Sequence, residues 1–190
     1  MKLNNLSSLL IRYILIILLG LGNLFIFYFI ATKPTLYFSK TILSLFHEGV
    51  SSINNLILLP NIQISLIPAC IAGSAYYLLT ILNLSSPMKI KTRINSILFL
   101  FITFFIVNVI RIFIFSELAI SGSSYFNITH KAVWYFGSTL FVVILWFINI
   151  KLFKIKSVPF ITDIRLILRP FNSPSSRIRK WLNFKFFNSF

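Results

Sequence analysis

The chain has 190 residues, 57% of them hydrophobic, and a mean hydropathy of +0.89. A soluble domain of this length needs far more polar surface, so the composition excludes an ordinary globular protein and points to a single membrane domain. The formal net charge is +15, from 18 Lys plus Arg against three acids, Glu48, Glu117 and Asp163. So few carboxylates argue against a two-carboxylate glycosidase and against an oxygen-ligand metal cage.

Residues 9–30 are apolar except for Arg12 and Asn23, which suits a first span of roughly twenty residues. No A-x-A-like cleavage site follows, so the segment reads as a retained signal anchor. Residues 34–46 are amphiphilic but short. Thirteen helical residues reach only about 20 Å against a hydrocarbon core of about 30 Å, which predicts an interfacial or re-entrant helix. Residues 47–55 form a polar loop. Ile62, Ile64 and Leu66 alternate with Gln63 and Ser65, the pattern of a short strand.

Residues 67–84 are the second span, with Cys70 at its start. A loop over 85–93 carries Pro87, Lys89, Lys91 and Arg93. Residues 94–120 make the third span, with Asn108 and Arg111 inside it. A polar loop over 121–129 leads to the fourth span, 130–150, which opens with His130 and Lys131. Residues 157–190 are a basic aromatic tail without a spanning run, suited to anionic lipid at a membrane surface. The expected fold is therefore an all-α integral membrane protein. It has about four transmembrane helices, a short interfacial or re-entrant helix, and a basic cytoplasmic tail. The membrane domain covers 1–156 and the tail 157–190.

The positive-inside rule orients these spans. With the N-terminus inside, Lys2, Arg12, the loop cations at 89–93, Lys151, Lys154, Lys156 and the tail cations are all cytoplasmic. Only Lys33, Lys40 and Lys131 then fall outside. The cations thus serve orientation, and no nucleic-acid partner is expected. At 1.5 Å per residue, Cys70 lies about 21 Å above Leu84, Arg111 about 27 Å above Arg93, and His130 about 31 Å above Lys151. All three reach the outer third of a plasma membrane.

These three residues carry the chemistry. An arginine inside a span either snorkels to the headgroups or serves a function. Asn108, three residues before Arg111, shares its helical face and favours function, because a guanidinium beside an amide suits a developing oxyanion. A lone cysteine in a membrane helix is ordinarily a small packing residue. Cys70, however, occupies a first helical turn, where the dipole favours thiolate, and Gly73 with Ser74 and Ala75 leaves room for a substrate chain. His130 is either a wetted interfacial histidine or, with Cys70 in reach, the group that takes the thiol proton. Glu117 would pair with a cation or orient His130. Cys70 is the only cysteine, so no intrachain disulfide forms. His47 and His130 alone do not make a zinc site, and no cofactor is expected.

The ordered set Pro68-Ala69-Cys70-Ile71-Ala72-Gly73, then Asn108-Val109-Ile110-Arg111-Ile112, then Thr129-His130 resembles the exosortase/archaeosortase family, in particular its small archaeal, pacearchaeosortase-like branch. The resemblance covers residues 62–153. That family commonly has glycine two residues after its cysteine; here Gly73 is three after. The resemblance implies a membrane cysteine protease or transpeptidase acting on secreted proteins with a C-terminal tripartite signal: a short motif, an apolar helix and a basic end. It implies Cys70 as nucleophile, His130 as acid and base, Arg111 on the oxyanion, and transfer to an acceptor amine, expected on a lipid. Two other readings stay open. One is a non-catalytic membrane protein such as a transporter subunit or assembly factor. The other is an acyltransferase using His130 without thiol chemistry.

Overall fold

The computed structural model describes residues 3–22 and 24–155, so the tail over 157–190 lies outside the described residues. In chain order come α1 (Leu3–Gly20), α2 (Phe25–Ser44), β1 (Ser51–Ile53), β2 (Leu56–Leu58) and β3 (Gln63–Ser65). Then follow α3 (Pro68–Ile71), α4 (Gly73–Ser85), α5 (Ile90–Ile120), α6 (Phe126–Ala132), a π-helical turn (Val133–Gly137) and α7 (Ser138–Phe153). The chain is mostly helical. Pro68–Ser85, Ile90–Ile120 and Phe126–Phe153 are each long and apolar enough to cross a membrane, and a fourth crossing is made if the bent pair Leu10–Gly20 and Phe25–Ser44 is one span.

That bent pair revises the expected boundaries. The helix does not pause at residues 31–33, and no separate helix covers 34–46. The break falls at 21–24, where Gly22 (φ 72) and Leu24 (φ 60) are both left-handed, and the axis turns by 63°. Glycine adopts that conformation without steric cost, so Gly22 is the natural site of the kink. Pro34 lies inside α2. A proline is tolerated in an apolar helix whose neighbours re-satisfy the backbone. α1 runs beside α4: Tyr77 donates to the Ile16 carbonyl at 2.9 Å, and Arg12 to the Leu84 carbonyl at 3.3 Å.

The main core joins α2, α4, α5 and α7 through Phe27, Tyr76, Leu79, Leu100, Phe104, Val142 and Trp146. The rings of Phe101 and Phe104 meet Tyr76 edge-on, at centroid separations of 5.2 and 4.9 Å. Such contacts add about 0.5–1.5 kcal/mol each beyond area burial. At one end of the bundle Ser96 accepts from Asn83 (2.8 Å) and donates to Asn149 (2.9 Å), a buried polar link across three helices. Arg93 donates to the carbonyls of Asn83, Leu84 and Ser86 and so caps the end of α4. On the outside of α5, Ile94, Leu98, Ile102, Ile106, Ile110 and Ile114 recur every four residues and are all about half exposed. A helix face of that composition suits lipid rather than water.

The opposite end carries one departure from the all-helical expectation. The three strands pair antiparallel in the order β1-β2-β3, with Ser52 opposite Ile57 and Ile57 opposite Ile64. The expected strand around residues 62–66 is β3. β1 lies within what reads as a polar loop, and β2 follows it through a tight turn at Asn54 (φ 53), a conformation asparagine tolerates. Ile57 and Leu66 seal the underside of the sheet against Leu43, Ile71 and Ile112. This second core fixes the sheet over α3 and the end of α5.

Candidate functional site

The segment that presents Cys70 is a single helical turn. Pro68 opens α3, its missing N–H costing nothing at a first helical position. The turn ends at Ala72, which is left-handed (φ 59), and α4 starts afresh at Gly73. Cys70 therefore opens the Pro68–Ser85 span, as expected, but on a turn that the break at Ala72 separates from the rest of it. One turn of helix carries little dipole, so the expected dipole effect on its thiol is not available.

The break frees two carbonyls. In an unbroken helix those of Ala69 and Cys70 would accept from residues 73 and 74. Here α5 supplies the donors. Asn108 Nδ2 reaches the Cys70 carbonyl at 2.9 Å; one Arg111 terminal nitrogen reaches Cys70 at 3.2 Å and Ala69 at 3.3 Å. The other Arg111 terminal nitrogen donates to Ser138 Oγ at 2.8 Å. Asn108 and Arg111 thus act on one face of α5, as their spacing predicts, and pin the cysteine turn from behind. Both terminal nitrogens of the guanidinium are thus engaged.

His130 lies in α6, which begins at Phe126; the helix starts four residues before the expected opening at His130. Its ring stacks on Phe126 (centroids 5.3 Å, planes 9° apart) and meets the edge of Phe115 at 5.2 Å. The π-helical turn then changes the phase of the helix, so that His130 and Ser138 both address α5. Single π turns of this kind recur at functional sites. Gly137 permits it, since a Cβ there would come within 2.7 Å of Val133.

These pieces enclose one cavity of about 480 Å³. Cys70, Arg111 and His130 all border it, with Lys131, Phe115 and Ser116, and its other wall is the run from Ile62 to Ile67. No hydrogen bond joins Cys70 to His130 among the described residues. Comparison with protein-family models, with curated proteins and with solved structures finds no match. The functional reading therefore rests on the geometry and on the motif resemblance.

Two expected roles are revised. Gly73 does not make room for substrate. It is buried against Tyr28, and a Cβ at 73 would fall 2.7 Å from that ring, so glycine there lets α2 approach α4. Glu117 does not orient His130; it pairs with His47 at 2.8 Å and ties the end of α2 to α5. Ser138 went unread because a serine inside an apolar run carries no spacing signal, and its partner is 27 residues away. No group of three or more metal-ligating side chains occurs among the described residues.

Proposed function

We propose that the chain is a multi-pass membrane cysteine peptidase or transpeptidase of the exosortase/archaeosortase kind, acting at the outer face of the plasma membrane with both termini cytoplasmic. One observation carries the reading. A thiol, a guanidinium and an imidazole, from three helical segments, border the same 480 Å³ cavity. A second observation supports the resemblance. The residue two after Cys70, where that family commonly has glycine, is Ala72, and it holds the left-handed conformation that favours glycine.

The mechanism follows from ordinary acyl-transfer chemistry. His130 takes the thiol proton, and Cys70 Sγ forms a bond to the scissile carbonyl carbon. The Arg111 guanidinium, which borders the cavity, stabilises the resulting oxyanion. The C–N bond then breaks, and the proton held on His130 goes to the leaving amine, which departs with the C-terminal signal. An acceptor amine, on a lipid, attacks the thioester; it gives up a proton to His130 and displaces the thiolate, which is reprotonated. Secreted proteins with the tripartite signal are the substrates.

The test uses the native host. Cys70→Ala, shown to be folded and in the membrane, stops removal of C-terminal signals from surface proteins. A surface-protein set that matures normally in that strain rejects the reading. A non-catalytic role is favoured by one fact: Arg111 and Asn108 hold the Cys70 backbone, which by itself accounts for an arginine within a span. Under that role the lone thiol resists an impermeant alkylating agent at neutral pH.

A further inference from the structure

We propose that the free edge of β3 binds the substrate as an added strand, so that an extended peptide main chain, rather than a side-chain pocket, lays the scissile bond beside Cys70. This deepens the peptidase reading and rests on it for the identity of the bond cleaved.

The first observation is which residues form the cavity wall. Ile62, Gln63, Ile64, Ser65, Leu66 and Ile67 all border it. Successive side chains of a strand point to opposite faces. Consecutive residues border one space where that space abuts the strand's edge. β3 is the outermost strand of the sheet, paired to β2 on one side only among the described residues.

The second observation is where the backbone groups go. Leu59 donates to the Ile62 carbonyl at 3.0 Å, and Leu66 donates to the Asn55 carbonyl at 2.9 Å. Antiparallel pairing alternates, so Ile62, Ile64 and Leu66 turn their backbone groups to β2. Gln63 and Ser65 turn theirs the other way, to the cavity. The Ser65 carbonyl is taken by the Ile67 amide at 3.2 Å. Among the described residues the Gln63 N–H and carbonyl and the Ser65 N–H are left open to a partner, a set that matches one strand.

The third observation is the register with the thiol. β3 runs into Cys70 within five residues, and the Cys70 N–H is bonded to the Ile67 carbonyl at 2.8 Å, so strand edge and nucleophile form one rigid unit. Arg111, His130 and Lys131 border the cavity and no acid does, which selects against cationic side chains in the bound segment. Strand addition of this type draws affinity from the main chain and specificity from alternate side chains.

The experiment uses full-length Cys70→Ala protein in lipid nanodiscs, so that binding is read without chemistry. The probe is a biotinylated random octapeptide library with amidated C-termini; the most enriched peptide is resynthesised with each backbone nitrogen methylated in turn. The expected result is a loss of about tenfold at alternate positions and little between them. Gln63→Pro removes an N–H that the sheet does not use and weakens binding by a similar factor; Gln63→Ala keeps it and weakens binding less. Lack of enrichment over empty nanodiscs, methylation losses without alternation, or equal losses for the two Gln63 variants overturns the proposal. Alternation in the Cys70→Ala protein, with no acyl adduct on Cys70 when the unsubstituted protein meets the same peptide, removes the peptidase reading alone. An acyl adduct on the unsubstituted protein, without alternation in the Cys70→Ala protein, removes strand addition alone.

Discussion

The carbonyl of Cys70 accepts from both Asn108 and Arg111, which makes it a natural centre for a double-mutant cycle. Asn108→Ala leaves that carbonyl one partner. It also removes the buried Oδ1 of Asn108, which has no hydrogen bond. The expected cost is about 0.6–1 kcal/mol, the ordinary size of one interhelical side-chain bond. Arg111→Met keeps bulk but strips the Ala69 carbonyl of its α5 donor and releases Ser138. The Ala69 carbonyl is only half-buried and borders the cavity, so leaving it unsatisfied costs about 1 kcal/mol, partly offset because a half-buried cation no longer has to be desolvated. The double variant leaves the Cys70 carbonyl bare as well. Because that carbonyl is half-buried, the double variant costs about 1 kcal/mol more than the sum of the single variants. Equilibrium unfolding in mixed micelles, followed by tryptophan fluorescence, gives the three values. The rate of Cys70 alkylation gives a local reading, because any adduct on this chain is at Cys70. Additivity within about 0.5 kcal/mol would refute the shared-carbonyl account of Asn108 and Arg111.

Gly73→Ala drives a methyl into the Tyr28 ring and lowers stability by about 1–3 kcal/mol; Tyr28→Ala in the same background recovers part of the melting temperature. Ala72→Val places a branched side chain in a left-handed residue and destabilises by about 1–2 kcal/mol, whereas Ala72→Gly stays within about 1 kcal/mol of the parent in the same melt. Glu117→Gln costs under about 1 kcal/mol in thermal unfolding, because the His47 pair is partly exposed, and it leaves signal removal intact. A collapse of processing in that variant would return Glu117 to His130.

The apolar runs, read alone, placed the helices that now form α4, α5 and the α6–α7 pair, because the transfer of twenty apolar residues is a local property that needs no partner. The helical period likewise put Asn108 and Arg111 on one face. The alternation of Ile62, Ile64 and Leu66 announced β3. What depended on distant neighbours was not legible. The kink at 21–24 was concealed by the steady hydropathy of residues 9–30, though Gly22 marked it. β1 and β2 are three residues each and exist because Leu43 and Ile112 lie beneath their sheet. Tyr28 against Gly73, Ser138 on Arg111 and His47 on Glu117 are contacts between segments tens of residues apart. Side-chain depth along separate helices follows from counting residues. Which way each helix is rotated, and what its polar groups meet, is decided only when all the helices pack together, since each rotation is set by the volume its neighbours leave.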